Sequence, residues 1–188
     1  IASSCGLPKY CLISLGMPKA TSLKFADLLF KGMIDVCREY GINIVGGDLS
    51  SSDKIIIDVS MLGLVEKNKL TLRGMARAGD YIFVTGELGG SISGKHLNFT
   101  PRLREARFLC GKFKINAMID ISDGLAQDLS HILKQSRVGA VLYEELIPVS
   151  KEARGLSDAF NSGEDFELLF TLPQGEARRL LRKKIAKY

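Results

Sequence analysis

The segment Asp120-Ile121-Ser122-Asp123-Gly124-Leu125 combines two carboxylates and a hydroxyl where an expected strand turns into an expected helix. Asp120 ends the strand. Ser122 or Asp123 caps the helix, whose first turn would offer free backbone N–H groups that attract anions and their counter-cations. Magnesium prefers a few carboxylates together with phosphate oxygens and water, so this spacing suits it. The alternative is a plain capping aspartate with a surface neighbour, and the segment alone leaves both interpretations open.

A second candidate, Gly46-Gly47-Asp48, follows the apolar residues 42–45. Paired glycines let the backbone approach a phosphate closely, and the following aspartate can reach the phosphate's metal ion. A simple turn after a strand is the alternative. Neither G-x-x-x-x-G-K-[ST] nor a Rossmann glycine pattern after a strand occurs in the chain. A nucleotide site would therefore depend on carboxylate-bound metal.

Two further acids, Glu164 and Asp165, precede an expected strand over residues 166–172. A carboxylate at the mouth of a strand can hold a cationic or hydrogen-bonding group of a substrate. The alternative is a turn followed by a strand with a solvated edge. Arg73 lies in an expected connector, and taken alone it would be a surface ion-pair partner.

Composition describes an ordinary globular protein of one medium domain or two small ones. The chain has 188 residues, of which 46% are hydrophobic and 25% charged. The net charge of +5 is mild and suits anionic phosphate substrates. A basic cluster near the end of the chain favours a solvated helix face over nucleic-acid binding. Its residues are Arg178, Arg179, Arg182, Lys183, Lys184 and Lys187.

The four cysteines, Cys5, Cys11, Cys37 and Cys110, form no C-x-x-C pair. Two disulfides are conceivable, but free and mostly buried thiols in a reducing cytoplasm are favoured. His96 and His131 lie far apart and indicate no zinc site. No apolar run approaches the length of a membrane span, so the sequence predicts a cytoplasmic protein.

Apolar spacing predicts the elements that carry these motifs. An amphipathic helix with Phe25, Leu29 and Met33 on one face begins at Thr21 or Ser22 and ends at Gly41. Strands are expected at residues 12–15, 42–45, 55–65, 81–85, 117–121 and 166–172, and further helices at 102–110, from residue 125, and at 175–187. The mixture indicates an α+β or mixed α/β fold, with domains at residues 1–77 and 78–188 and a boundary near Ala78.

The order of these motifs resembles the thiamine-monophosphate kinases, of the superfamily that includes aminoimidazole ribonucleotide synthetase. G-G-D after an apolar strand is followed by R-x-x-A-x-x-G-D at residues 73–80, by D-I-S-D-G-L at residues 120–125 and by G-E-D-F-E-L-L-F at residues 163–170. Ser14-Leu15-Gly16-Met17-Pro18 is also similar to that family. The combination of D-I-S-D-G-L with G-E-D-F-E-L is specific, since sister families differ at both places.

The resemblance implies transfer of the γ-phosphate of ATP to thiamine monophosphate, giving thiamine diphosphate, with Mg²⁺ as cofactor and no protein nucleophile or general base. The residues implied to hold magnesium are Asp48, Asp120 and Asp123. Those implied to contact ATP are Gly47, Asp48, Arg73 and Ser122. Glu164 is implied to contact the thiamine substrate.

The resemblance also implies a two-domain fold like that of aminoimidazole ribonucleotide synthetase. Its N-terminal sheet, including residues 55–65, would form a barrel with a second subunit in a homodimer. The family carries further metal-binding acids before the position of Ile1 and an aromatic residue after that of Tyr188, so both domains are expected to be partial. The usual L-G-D-S reads Leu88-Gly89-Gly90-Ser91 here, and the segment between Pro148 and Gly163 is short.

Two alternatives stay open at this point. Another enzyme of the same superfamily could use ATP with a different acceptor, although G-E-D-F-E-L argues against it. A non-catalytic nucleotide-binding subunit is the alternative from another class.

Overall fold

A computed structural model describes residues 1–183, which form two compact units. The N-terminal unit contains Ile1 and Leu7–Leu64. The C-terminal unit contains Ala2–Gly6 and the chain from Val65 onward. The connector at residues 65–80 therefore belongs to the second unit, and the units divide earlier than the boundary expected near Ala78.

The N-terminal unit is a three-stranded sheet with one long helix. Its elements are β1 (Leu7–Met17), α1 (Leu23–Glu39), β2 (Asn43–Ser51) and β3 (Ile56–Leu64). The strand order is β2-β1-β3, with β1 parallel to β2 and antiparallel to β3. Helix α1 makes the crossover that two parallel strands require, whereas β2 and β3 are joined by a short turn.

Helix α1 confirms the apolar spacing and its end signals. Ser22 is the N-cap, and its hydroxyl accepts a hydrogen bond from the backbone N–H of Phe25 at 3.3 Å. The helix ends at Glu39, and Gly41 takes a φ of 65°. On its inner side, the Cys37 thiol lies 3.9 Å from the Cys11 thiol of β1.

Strand β2 is longer than expected, because it continues through Gly46-Gly47-Asp48 to Ser51. The glycine pair therefore forms neither a turn nor a loop. A Cβ atom at Gly47 would overlap the carbonyl oxygen of Ile13 on β1. Close pairing of β1 with β2 is a sufficient physical reason for glycine at this position.

The C-terminal unit is a second three-stranded sheet with helices on both faces. Its elements are β4 (Tyr81–Val84), α2 (Leu103–Lys112), β5 (Ala117–Asp120), α3 (Leu125–Ser136), α4 (Leu156–Asn161), β6 (Leu168–Leu172) and α5 (Gln174–Arg182). The order is β4-β6-β5, and both strand pairs are antiparallel. The mixed class expected from the sequence is confirmed.

Strand β6 is buried along its whole length because it lies between two apolar clusters. Leu168 and Phe170 pack in one cluster with residues of α2 and α5. Leu169, which points to the other face, packs in a second cluster with Leu125 and Leu129 of α3. The alternation follows the two-residue period of a strand.

The basic helix expected at residues 175–187 is observed as α5, which begins at Gln174 and ends at Arg182, with Lys183 as its extended C-cap. Arg179 forms an ion pair with Glu176 at 3.1 Å and lies over the ring of Phe113. This agrees with a solvated helix face. Lys184 and Lys187 lie outside the described residues.

The cysteine expectation is wrong for one pair. Cys5 and Cys110 form a disulfide within the C-terminal unit, with their Cα atoms 6.3 Å apart. Their separation of 105 residues along the chain conceals this contact in the sequence. Cys11 and Cys37 are free and buried, as expected. Among the described helices, none combines the length and apolar character needed to cross a bilayer.

Two glycine substitutions test the account of the N-terminal unit. Gly47→Ala should lower the free energy of unfolding by about 1–3 kcal/mol, because the added methyl group separates β1 from β2. The Cβ atom that Gly32→Ala adds on α1 meets nothing within 4 Å. This substitution should raise the free energy of unfolding by about 0.5–1 kcal/mol, because alanine favours the helix over the unfolded chain more than glycine does. Urea unfolding of both variants measures the difference. Equal effects would show that strand pairing does not require glycine at position 47.

Candidate cation and phosphate site

A cavity of about 510 Å³ lies within the C-terminal unit at the end of β5. Its lining contains four of the residues singled out in the sequence, namely Arg73, Asp120, Ser122 and Asp123. Asp120 and Asp123 are exposed to solvent, so a cation from solution can reach their carboxylates. The structure therefore brings together, within one unit, the carboxylates, the hydroxyl and the arginine of the predicted phosphate site.

The loop after β5 reaches the cavity through fixed backbone contacts. Ile121 is fully buried, and its N–H donates to the carbonyl of Glu167 at 2.8 Å. The chain then turns at Gly124, the N-cap of α3, which has a φ of 107° and no side-chain cap. The expected capping by Ser122 or Asp123 is wrong, because both residues precede the cap and lie on the loop.

The acceptor for this loop is Asp128, one turn into α3, which the sequence reading missed. One carboxylate oxygen, Oδ2, accepts the backbone N–H of Ser122 at 2.9 Å and that of Asp123 at 3.0 Å. Asp128 is only 2% exposed. Burial raises the pKa of its carboxyl, and the nearby Asp123 and Asp120 charges add to the rise, whereas the two backbone hydrogen bonds oppose it.

Asp123, Asp128 and His131 form a group able to hold a metal ion, with potential ligand atoms within 4.8 Å of one another. From the sequence alone, no metal role is assigned to His131. Its spacing of three residues from Asp128 places both on one helix face and could have signalled the group.

The donor set fits magnesium. Asp120 and Asp123 offer exposed carboxylate oxygens at one cavity, which are the ligands that Mg²⁺ takes from proteins. Within residues 1–183, no Lys or Arg side chain forms an ion pair with Asp120, Asp123 or Asp128. The carboxylates of Asp123 and Asp128 approach within 4.8 Å of one another, and like charges at this distance favour a bound cation. Asp120 lines the same cavity but is not part of that group.

The segment Gly163–Phe166 lies directly against this loop. The N–H of Glu164 donates to the carbonyl of Ser122 at 2.8 Å, and the N–H of Phe166 donates to that of Ile121 at 2.9 Å. Gly163 has a φ of 63°, and a Cβ there would lie 2.6 Å from the Ser122 carbonyl oxygen. The exposed Glu164 side chain therefore leaves the backbone at a residue that is hydrogen-bonded directly to Ser122.

The acid next to Glu164 has a different role. Asp165 is 1% exposed, and its carboxylate accepts the N–H of Gly89 at 3.0 Å. Burial raises the pKa of this carboxyl. Gly90, which follows Gly89 in the chain, has a φ of 72°, and a Cβ atom at Gly90 would clash with the backbone of Glu152. This close packing gives a physical reason for the glycine where the family pattern has an acid.

Glu167, which the sequence analysis does not single out, is buried at 1% exposure, so the alternative of a solvated strand edge does not apply to it. Its carboxylate accepts hydrogen bonds from Arg102 at 2.6 and 2.7 Å, from Lys95 at 2.9 Å and from Thr85 at 2.6 Å. Burial alone would raise the pKa of Glu167, but these partners outweigh burial and lower it. The ion group joins the glycine-rich segment after β4 to the segment that carries Glu164.

Gly47 and Asp48 belong to the N-terminal unit and line a largely apolar cavity of about 410 Å³ between the sheet and α1. Asp48 is exposed, and its carboxylate accepts the hydroxyl of Ser50 at 2.5 Å. Its expected convergence with Asp120 and Asp123 involves residues of two separate units and stays a prediction.

Comparison with known proteins gives matches along almost the whole chain. Residues 1–65 match the family model for AIR synthase related protein, N-terminal domain, and residues 77–187 match that for the C-terminal domain. A thiamine-monophosphate kinase of Rhodopirellula baltica is 36% identical over 187 residues, covering 94% of this chain and 58% of that protein. The chain spans less than two thirds of the length of such curated relatives.

Solved structures agree with this result. AaThiL complexed with AMPPCP and TMP is 31% identical, with a TM-score of 0.86 over 94% of this chain and 65% of that one. Hydrogenase maturation protein HypE in complex with ATP is 22% identical, with a TM-score of 0.82 over 97% of this chain and 62% of that one, and shows the fold alone. The expected two-domain fold is confirmed.

The buried ion group around Glu167 predicts a pH-dependent contribution to stability. Glu167→Gln should lower the free energy of unfolding at pH 7 by about 1–3 kcal/mol, because Arg102 and Lys95 lose their charged acceptor. The folded-state pKa of Glu167 lies below its ordinary value of 4.5. The wild-type advantage is therefore present above about pH 4.5 and shrinks as the pH falls further.

Urea unfolding between pH 7 and pH 3 measures this, with Glu144→Gln, an exposed glutamate of the same unit, as control. A wild-type advantage that does not change over this range would contradict an ionised Glu167.

Proposed function

The chain belongs to the AIR synthase related protein family, and we propose that it carries the ATP-dependent phosphorylation of thiamine monophosphate to thiamine diphosphate, in the cytoplasm. The observation that carries the proposal is the shared cavity of Asp120, Ser122, Asp123 and Arg73. Relatives with the name thiamine-monophosphate kinase, and a related structure with AMPPCP and TMP, support the choice of substrates.

Asp120 and Asp123 would hold magnesium in this cavity. The assignment of Asp48 as a further magnesium ligand rests on the resemblance of G-G-D to the family pattern. Bound Mg²⁺ supplies neutralisation and orientation of the ATP phosphates during in-line transfer. The protein contributes the carboxylate of Asp120 at the end of β5 and that of Asp123 on the following loop, whose backbone is held by Glu164, Phe166 and Asp128. A fixed loop reduces the reorganisation that cation binding would otherwise require.

ATP contacts are assigned to Arg73, Ser122, Gly47 and Asp48. Arg73 is exposed at the cavity and brings the positive charge that a polyphosphate requires. Ser122 presents a hydroxyl beside the carboxylates, and its backbone is bonded on both sides. The roles of Gly47 and Asp48 rest on the resemblance of G-G-D to the family pattern.

The acceptor side is assigned to Glu164, whose exposed carboxylate suits the cationic thiazolium part of thiamine monophosphate. The hydrogen bond from its backbone N–H to the Ser122 carbonyl supports this assignment, because the acceptor would then be recognised beside the residues proposed to contact ATP. The acceptor phosphate is already an ionised nucleophile. The reaction therefore needs neither a protein nucleophile nor a general base, and we assign none.

We also propose a homodimer through the N-terminal sheet. Strand β3 lies at a sheet edge and is exposed along its whole length, although most of its side chains are apolar. An exposed apolar edge strand is a site for pairing with another chain. The exposed apolar residues of β3 are Ile56, Ile57, Val59, Met61, Leu62 and Leu64.

Removal of charge at the cavity tests the catalytic proposal. Asp120→Asn and Asp123→Asn should each lower the formation of thiamine diphosphate about 100- to 1,000-fold, because a magnesium ligand loses its charge without losing bulk. Product formation from ATP, magnesium and thiamine monophosphate is measured with the intact protein, and unfolding midpoints should stay near wild type.

Asp27→Asn, at an exposed position of α1, is the matched control and should keep wild-type turnover. Turnover of a different acceptor in a substrate panel would replace the proposed substrate. ATP binding without any transfer would indicate a non-catalytic nucleotide-binding subunit.

Sedimentation tests the dimer. The intact protein should sediment as a dimer, and Leu62→Lys on β3 should shift it toward monomer by placing a charge in the apolar contact. Leu181→Lys on α5 is the control, since both leucines are 69% exposed. A monomeric wild-type protein, or equal behaviour of the two variants, would refute the β3 interface.

A further inference from the structure

We propose that Asp128 is a positioning residue for phosphoryl transfer, which fixes the backbone of Ser122 and Asp123 so that their side chains serve the cavity. The proposal rests on the proposed function for its kinetic consequence. The structural part does not depend on that function: the buried Asp128 carboxylate accepts two backbone N–H groups of the loop.

Both sides of the loop backbone are fixed. On one side, Asp128 Oδ2 accepts the N–H groups of Ser122 and Asp123 at 2.9 and 3.0 Å. On the other side, the Ser122 carbonyl accepts the N–H of Glu164 at 2.8 Å. With the peptide groups held in this way, the directions in which the Cα–Cβ bonds of Ser122 and Asp123 leave the backbone are fixed.

Asp128 itself is held by a regular helix. It lies in the first turn of α3, and its own N–H donates to the carbonyl of Gly124 at 3.0 Å. Its neighbours Leu125 and Leu129 are buried in the apolar cluster beneath the sheet. A side chain on such an element transmits its position to the loop with little freedom.

The carboxylate is costly where it lies. It is 2% exposed, and burial and the Asp123 and Asp120 charges all disfavour its ionised form. An apolar residue would fill the same space without this cost. The charged carboxylate is a strong acceptor for the N–H groups of Ser122 and Asp123, and these two hydrogen bonds offset part of the cost of its burial.

A direct role as metal ligand is the alternative, because Asp128 groups with Asp123 and His131. The geometry allows the two roles to be separated. Both amides bond to the same oxygen, so an asparagine carbonyl could accept both of them, although the side chain is neutral. A glutamate would keep the charge but displace the oxygen by one methylene group.

The experiment compares Asp128→Asn, Asp128→Glu and Asp128→Ala in the intact protein. Hydrogen–deuterium exchange at the Ser122 and Asp123 amides is followed by NMR, and kcat and KM for ATP are measured with thiamine monophosphate. Asp128→Ala should speed exchange at both amides at least about tenfold and lower kcat about 100-fold, more than it changes KM. Asp128→Asn should recover most of both losses, and Asp128→Glu should recover less.

The reverse order, with Asp128→Glu closer to wild type than Asp128→Asn, would overturn the proposal in favour of a charge or ligand role. Unchanged exchange at both amides in Asp128→Ala would also overturn it. If Asp128→Ala does not fold, the order of the other two variants still decides.

Glu176→Ala is the matched control, because Glu176 also accepts a backbone N–H, that of Lys114 at 3.2 Å, and does not line the cavity. It should leave exchange at Ser122 and Asp123 unchanged. If the wild-type protein forms no thiamine diphosphate, the proposed function fails, whereas amide exchange still decides the role of Asp128.

Discussion

The peptide groups of residues 121–123 are hydrogen-bonded on both sides, and the candidate site depends on this constraint. The carbonyl oxygens of Ile121 and Ser122 accept hydrogen bonds from the backbone N–H groups of Phe166 and Glu164, respectively. The N–H groups of Ser122 and Asp123 donate to the Asp128 carboxylate. The bonds connect the end of β5, the start of α3 and the segment before β6. The two most specific sequence motifs are thus one physical unit, although about forty residues separate them along the chain.

Acidic residues in this unit have two distinct tasks. Asp120, Asp123 and Glu164 are exposed and available for a cation or a substrate. Asp128 and Asp165 are buried and hold backbone amides. Glu167 is also buried, where it holds Arg102 and Lys95. A buried carboxylate is tolerated only when such partners compensate for its lost hydration, so burial distinguishes the two tasks where residue type does not.

Local patterns predicted the elements well. The apolar spacing of α1, its Ser22 cap and Gly41 gave the correct helix, and the apolar runs gave the strands of both sheets. What local patterns missed has two causes. The capping expectation failed locally, because Gly124 is the N-cap and Asp128, five and six residues further on, accepts the N–H groups of Asp123 and Ser122. The burial of Glu167 depends on distant contacts, since Arg102 and Lys95 lie more than sixty residues away.

The disulfide of Cys5 with Cys110 and the place of the glycine pair inside β2 have the same origin. No local sequence pattern predicts which strand packs closely against Gly47 or which two cysteines form a disulfide. The exposed apolar side chains of β3 would be covered in the proposed homodimer.

The central claim is that the loop after β5 binds a magnesium–nucleotide complex. Calorimetric titration of the intact protein with a non-hydrolysable ATP analogue, with and without magnesium, tests it most directly. The account predicts saturable binding that requires magnesium, weakens strongly in Asp123→Asn and is kept in Asp27→Asn. Binding of equal strength without magnesium, or in Asp123→Asn, would contradict it.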